Sequence, residues 1–154
     1  MADSRFVYVA YIRAPAARVW DALIKPEFTR QYWSGTHQES SWQKGGTWKI
    51  VTPDGRAADT GEVVEFDPPR RLAVTWQNHL FAEMEAEGHS KVAFDLEEAK
   101  PGETKLTVTH EMARDASKLI EAVSTGWPGV ISNLKSFLET GAALQDADKW
   151  PAGV

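Results

Sequence analysis

The sequence predicts a single α+β domain in which an antiparallel sheet of six or seven strands is covered on one face by a long C-terminal helix. Short runs of β-branched and aromatic residues, separated by turn residues, predict the strands. Strict alternation of apolar and polar residues in two of these runs indicates a sheet with one covered face. A 3-4 rhythm of apolar residues near the C-terminus predicts the helix that covers it.

The N-terminal third is predicted to hold one strand and two short helices. Residues 5–12 have strand character, and Pro15 then suits the first turn of a helix. Val19, Trp20, Leu23 and Ile24 follow at helical spacing before Pro26 interrupts the pattern. A second short helix is expected over residues 27–33.

Six further strands are predicted between turn signals rich in Gly, Pro and Asp. In the last two, the residues that share a face are Val92, Phe94 and Leu96, and then Leu106, Val108, His110 and Met112. One face of the sheet is therefore expected to be buried. The six strands are expected at residues 37–42, 47–52, 58–66, 72–77, 91–97 and 104–112.

The long helix is predicted from apolar residues between Leu119 and Leu138. Pro128 lies within this pattern and cannot donate a backbone hydrogen bond, so we expect a kink or a restart there. Gly141 is a suitable C-terminal stop. We therefore expect one domain over residues 1–144 and a loosely ordered tail over residues 145–154.

Composition excludes several classes of function. The 154 residues contain no cysteine, which rules out disulfides, thiolate metal sites and cysteine nucleophiles. The net charge of −5 disfavours direct nucleic-acid binding. No apolar run is long enough for a signal peptide or a membrane span, so we expect a cytoplasmic protein.

One acidic segment has residues that ligate metals in other proteins. His79, Glu83 and Glu87 would share a face if this segment were helical, with Asn78 as its cap, Gly88 as its end and His89 nearby. The segment lies between two predicted strands and lacks a HExxH pattern, and a solvated carboxylate-rich helix is the commoner interpretation. We expect no metal site.

Several short motifs accompany this order of elements. They are APAARVWDAL at residues 14–23, DPPRRL at 67–72, TW at 75–76, LTVTHE at 106–111, GW at 126–127, NLK at 133–135 and LE at 138–139. Together, the order and the motifs resemble homologues of the C-terminal domain of the activator of heat shock protein 90 ATPase, within the START-like (SRPBCC) superfamily. The similarity extends from about Phe6 to Gly141.

This resemblance implies a helix-grip (START/Bet v-like) fold, whose sheet curls around the C-terminal helix and leaves an elongated apolar cavity for hydrophobic ligands. Seven tryptophans in 154 residues fit such a cavity, although a single tryptophan is more often a filler of the core. Trp127, beside two glycines, is the first candidate for a cavity wall. The residues expected to line the cavity are Trp33, Trp42, Trp48, Phe66, Trp76, Phe94, Val108, His110, Val123, Trp127, Ile131 and Leu134.

Three functions follow as alternatives. The first is binding of an apolar or aromatic small molecule without a cofactor, by a monomer or a homodimer. The second is an enzyme in which His110 acts as acid or base in the same cavity, although a buried histidine is more often hydrogen-bonded to its neighbours. The third is a chaperone-associated interaction module. The family's co-chaperones dock through a separate N-terminal domain, and we expect no room for such a domain in this chain.

Overall fold

The fold is built on one seven-stranded sheet, seen in a computed structural model that describes residues 3–144 and 146–150. The strands follow the order β1-β7-β6-β5-β4-β3-β2, and every neighbouring pair is antiparallel. The predicted architecture is confirmed. The strands are β1 (Ser4–Ile12), β2 (His37–Ser40), β3 (Thr47–Val51), β4 (Ala57–Asp67), β5 (Arg71–Asn78), β6 (Ser90–Lys100) and β7 (Glu103–Met112).

Two helices, α1 (Ala16–Ile24) and α2 (Pro26–Tyr32), connect β1 to β2. Pro26 occupies the first turn of α2, where its missing N–H costs no hydrogen bond. The Tyr32 hydroxyl ties α2 to α1 by donating to the carbonyl of Ala22 at 2.7 Å. Tyr32 is fully buried, so the two helices act as one cap over the core.

The long helix α4 (Lys118–Thr140) lies against the concave face of the sheet and runs through Pro128 without interruption. The expected restart at Pro128 is wrong. Pro128 lacks only the N–H group that would donate a hydrogen bond to the Ser124 carbonyl. Trp127 and Ile131, on the buried face of the helix, keep it packed on the sheet. Gly141, in the left-handed region at φ 86°, ends the helix as expected.

The segment between β5 and β6 does not form a continuous helix over residues 79–88, the arrangement in which His79, Glu83 and Glu87 would share a face. It contains the four-residue helix α3 (Ala82–Glu85), and Gly88 at φ 84° turns the chain into β6. Asn78 does not cap a long helix; its side-chain oxygen accepts the N–H groups of Leu80 and Phe81 in a turn before α3. Four residues are too few to align His79 and Glu87.

The N-terminus of α4 is capped by two residues that are far apart in the sequence. Ser117 is the N-cap, and its hydroxyl accepts the N–H of Ile120 at 3.1 Å. The Glu87 carboxylate accepts the Ser117 hydroxyl at 2.6 Å and the Lys118 N–H at 2.7 Å. Burial raises the pKa of Glu87, but these hydrogen bonds outweigh it and hold the pKa below its ordinary value.

Residues 146–150, part of the predicted tail, contact the turn after α2. Ala147 is buried, and its carbonyl accepts the N–H of Ser34 at 2.7 Å. A Cβ on Gly35 would lie 2.9 Å from the Asp148 carbonyl oxygen, so this turn and the tail approach each other closely. The rest of the predicted tail, residues 145 and 151–154, lies outside the described residues.

Candidate functional site

Six aromatic side chains meet between the concave face of the sheet and α4. We call Trp33, Trp48, Trp76, Phe94, His110 and Trp127 the indole cluster. Trp76 is central: its ring centroid lies 5.0 Å from that of Trp48, 5.3 Å from His110 and 5.8 Å from Trp127. Trp33 closes the cluster at 5.4 Å from Trp127, and Phe94 packs edge-on against Trp127 at 5.7 Å.

The pleat of the sheet places these rings on one face. Trp48, Trp76, Phe94 and His110 each belong to the buried set of a strand with alternating burial. Gly61 stands opposite Trp48 in the β3–β4 pairing. A Cβ at this position would clash with the Thr75 carbonyl oxygen, so only a glycine lets β4 approach β5 this closely.

His110 is held by a chain of hydrogen bonds that fixes its tautomer. The Trp127 indole N–H donates to Nδ1 of His110 at 3.0 Å, so Nδ1 is unprotonated. Nε2 therefore carries the proton and donates to the Ser90 hydroxyl at 2.7 Å. Ser90 in turn donates to the carbonyl of Trp76 at 3.1 Å, which completes the chain. Both ring nitrogens of His110 are thus used within the protein.

The electrostatics of His110 agree with this geometry. The residue is fully buried, and burial lowers its pKa from 6.5 to about 3. His110 is therefore a neutral imidazole at pH 7. A general acid or base needs a nitrogen within hydrogen-bond reach of the substrate and a pKa near the working pH, and His110 has neither.

A small pocket, open on one side, lies beside the cluster. Its volume is about 110 Å³, and we call it the indole cavity. It lies between α4 and the edges of three indoles, with Gly126 leaving room because a glycine has no side chain. The residues that line it are Trp33, Trp76, Val123, Gly126, Trp127 and Val130.

A family model described as Activator of Hsp90 ATPase homolog 1-like protein matches residues 13–139. The chain belongs to this family. No curated protein matches the sequence. The family match confirms the resemblance seen in the motifs, and it places this member of the Hsp90 ATPase activator family in the SRPBCC superfamily.

Solved structures support the same fold at low sequence identity. CalU16 from Micromonospora echinospora superposes with a TM-score of 0.72 at 20% identity, over 92% of this chain and 78% of that one. The Aha1 dimer from Colwellia psychrerythraea gives 0.71 at 18% identity, over 89% and 97%. An HSP90 activator from Plasmodium falciparum gives 0.68 at 19% identity, over 88% and 96%. These likenesses establish a helix-grip fold.

This family member fills most of the interior that the fold was expected to leave open. The predicted elongated cavity is reduced to about 110 Å³ because the indoles pack against one another. A much larger concavity, of about 1060 Å³, lies on the outer face of β2 to β5 and is lined mainly by hydroxyl and charged side chains. The elongated apolar cavity that the resemblance implies is therefore not seen at this place, where only the small indole cavity remains.

The predicted lining residues divide into three groups. Trp33, Trp76, Val123 and Trp127 line the indole cavity. Trp48, Phe94, Val108, His110, Ile131 and Leu134 are buried in the core behind it. Trp42 and Phe66 belong elsewhere: Phe66 stacks on Trp42 at 6.2 Å and meets Trp20 edge-on at 5.5 Å. Trp42 leaves β2 because its φ of 53° is incompatible with a strand, so the predicted end of β2 at residue 42 is wrong.

Sequence reasoning missed a buried acid near the cluster. Asp59 is 6% exposed, and burial raises its pKa to about 6. Two groups act in the opposite direction and lower the pKa: the Asn78 amide, which donates to the carboxylate at 3.0 Å, and the Trp76 indole. The indole N–H of Trp76 nevertheless has no partner at hydrogen-bond geometry among the described residues. The alternation of side chains along β4 could have indicated this buried acid, because it sets the face of β4 on which Asp59 lies, directly opposite Asn78 in β5.

The residues considered above as possible metal ligands do not converge. His79 bonds to Thr60 at 2.6 Å and to Glu85 at 2.7 Å, while Glu87 caps α4. His89 lies in the outer concavity. Within residues 3–144 and 146–150 there is no group of three or more histidines and acids that could hold a metal ion.

None of the helices in the described part of the chain is long and apolar enough to cross a membrane.

Proposed function

We propose that this protein binds a small apolar or aromatic molecule at the indole cavity. The observation that carries the proposal is an apolar void bounded by three indoles, Trp33, Trp76 and Trp127, in a fold whose superfamily binds ligands at this place. Ligand pockets are typically concave, mainly apolar and furnished with a few polar groups.

The size of the void sets the size of the ligand. Drug-sized molecules occupy cavities of about 300–1,000 Å³, whereas an apolar cavity of about 150 Å³ accepts benzene. The indole cavity therefore suits one aromatic ring as it stands. A larger ligand requires a wall to move, and Trp33, at the C-terminal end of α2, is the one of the three indoles that is only half-buried.

Indole N–H signals in a ¹H–¹⁵N NMR spectrum test this proposal, with phenol, a single aromatic ring, as the probe. We expect saturable shifts of the Trp33, Trp76 and Trp127 signals, because the probe contacts these rings. The Trp20 and Trp42 signals should stay in place, since these residues pack around Phe66 instead.

Two glycines of α4 provide a matched pair of variants. A Cβ at either Gly126 or Gly129 meets no atom within 4 Å, so both positions accept a side chain. Only Gly126 lines the cavity. Gly126→Leu should abolish binding of phenol while Gly129→Leu preserves it. Equal binding by the two variants, or shifts confined to Trp20 and Trp42, would contradict the proposal.

A chaperone-associated role is the second candidate, and the family match supports it. One structural neighbour is described as an HSP90 activator and another as an Aha1 dimer. The test is the ATPase rate of Hsp90 with and without this protein. An increase that saturates with protein concentration would support the role, and an unchanged rate would reject it.

A further inference from the structure

The outer face of β1 exposes a row of large apolar side chains. Val7, Val9 and Tyr11 are 47%, 43% and 50% exposed. Only Phe81 and Leu144 join them as large exposed hydrophobics within the described residues, so most of this kind of surface lies on one strand. Their neighbours on β7 are the polar residues Thr109, Thr107 and Lys105. A concentrated apolar row of this kind is typical of a contact surface.

The backbone of β1 is also open on one side. β1 is the first strand in the sheet order and pairs only with β7. The Ser4 N–H bonds to the Arg114 carbonyl on the β7 side, whereas the Tyr11 carbonyl accepts from Lys135 on the opposite side. Since successive residues of a strand point their N–H and C=O groups to opposite sides, Arg5, Val7 and Val9 direct theirs to the free edge.

Common protections of an edge strand are absent from the centre of β1. Its nine residues pair with β7 without a register shift, so no bulge bends it away. It contains no proline, and its charged outer-face residue, Arg5, lies near the N-terminal end. Lys135 and Glu139 of α4 contact the backbone only at Tyr11 and Arg13, at the other end. Such an edge is a template for a further strand.

We propose that two copies of this chain pair through β1, antiparallel about a twofold axis at Tyr8, so that their sheets become continuous. In this register Val7 of one copy faces Val9 of the other, and Arg5 faces Tyr11. The N–H and C=O groups of Val7 and Val9 then form the central hydrogen bonds of the interface. The partner surface is thus a second copy of the same strand.

The side chains across this axis are complementary. Arg5 would lie between the carboxylate of Glu111, its neighbour on β7, and the ring of Tyr11 from the second copy. Val7 and Val9 would form two apolar cross-strand pairs. An axis at Val9 would instead place Arg5 opposite Arg13 of the second copy, and like charges directly opposite are destabilising. Charge therefore selects the Tyr8 axis over this alternative.

The proposal does not depend on the ligand, and the oligomeric state in solution tests it. Sedimentation equilibrium should show a dimer that dissociates on dilution. Val7→Lys places a charge in each of the two central pairs and should raise the dissociation constant more than about tenfold. Leu144→Lys is the control, because Leu144 is equally exposed, at 54%, away from β1. A protein that is monomeric at every concentration, or a dimer that Val7→Lys leaves unchanged, would overturn the proposal.

Single cysteines determine the register, because the native chain contains none. In the proposed pairing the two copies of residue 8 are directly opposite, with Cβ atoms about 4.5–5.5 Å apart. Tyr8→Cys should therefore form an intermolecular disulfide on mild oxidation, and Val7→Cys should not. Crosslinking of Val7→Cys but not Tyr8→Cys would overturn the register. If Tyr8→Cys does not fold, the double variant Val7→Cys/Val9→Cys tests the same register at exposed positions.

Discussion

His110 illustrates what a sequence can and cannot say about a single residue. Alternation along β7 predicted that it faces the core, and the structure confirms this. The pattern does not predict its hydrogen bonds, because Ser90 and Trp127 belong to other elements and meet it only in the folded chain. Those two bonds leave the imidazole without a free nitrogen for chemistry.

The buried imidazole makes stability depend on pH. The folded pKa of about 3 lies below the unfolded value of about 6.5, so below pH 6.5 the unfolded chain binds a proton that the folded chain does not. Stability is therefore lost as the pH falls through this window. Each pKa unit corresponds to about 1.4 kcal/mol, so the loss amounts to several kcal/mol.

The measurement is urea unfolding between pH 4 and 7 for the native protein and for His110→Gln, which does not titrate. The variant should be less stable at pH 7, because it disturbs the hydrogen bonds to Trp127 and Ser90. Its stability should fall less steeply towards acid than that of the native protein. Equal slopes for the two proteins would show that His110 is not the neutral, buried group described.

Asp59 makes stability depend on pH in the opposite direction to His110. Its folded pKa of about 6 lies above the ordinary value of 3.8, so between these values the folded chain binds more protons and stability falls as the pH rises. Asp59→Asn removes the cost of a buried charge and can still accept from Asn78. We expect it to stabilise the protein by about 1–3 kcal/mol at pH 8 and to have a much smaller effect at pH 4.

Urea unfolding at the two pH values measures this difference. Asp21→Asn is the matched control, because Asp21 forms a surface pair with Lys25 and should change stability little at either pH. If Asp59→Asn were less stable than the native protein at pH 8, the hydrogen bonds of the carboxylate would stabilise the fold by more than its burial destabilises it.

At the scale of the elements, those with a long periodic pattern in the sequence were predicted well, and those with a short pattern were predicted poorly. The apolar rhythm of α4 continues for many residues, and its buried face outweighs the missing amide of Pro128. The segment 79–88 has helical spacing of charges but little apolar surface to bury. Only Met84 of α3 is buried, so the helix there stops after four residues.

The same difference in packing predicts the order in which elements open. β7 is paired on both sides, whereas α3 is a single turn on the surface and α2 lies outside the sheet, held by Tyr32, the buried Thr29 and the contact of Phe28 with Phe137. In hydrogen exchange, the amides of α3 and α2 should exchange before those of β7. Tyr32→Phe, which removes the hydrogen bond to the Ala22 carbonyl, should accelerate amide exchange in α2 and leave amide exchange in α3 unchanged. Equal protection of the three elements would contradict this order.

At the scale of the whole molecule, the order of elements and the motifs were enough to predict the fold and the family. They were not enough to predict the cavity. The space between sheet and helix depends on how tryptophans from β3, β5, the end of α2 and α4 pack together, and no local pattern encodes that distance. Trp42 and Phe66 show the same limit: they are large and apolar, yet a left-handed turn and Trp20 place them in a different part of the core.

The pairing of the first strand with the last one has a consequence for how the chain folds during its synthesis. Tyr8 of β1 finds its partner in Val108, so β1 leaves the ribosome long before β7 exists. The helix α4, which covers the concave face, is made later still. Pairings so distant along the chain are slow to form, and until they do the strand edge and the apolar face stay accessible to other chains. The nascent domain therefore reaches its native sheet only when nearly all of it has been translated.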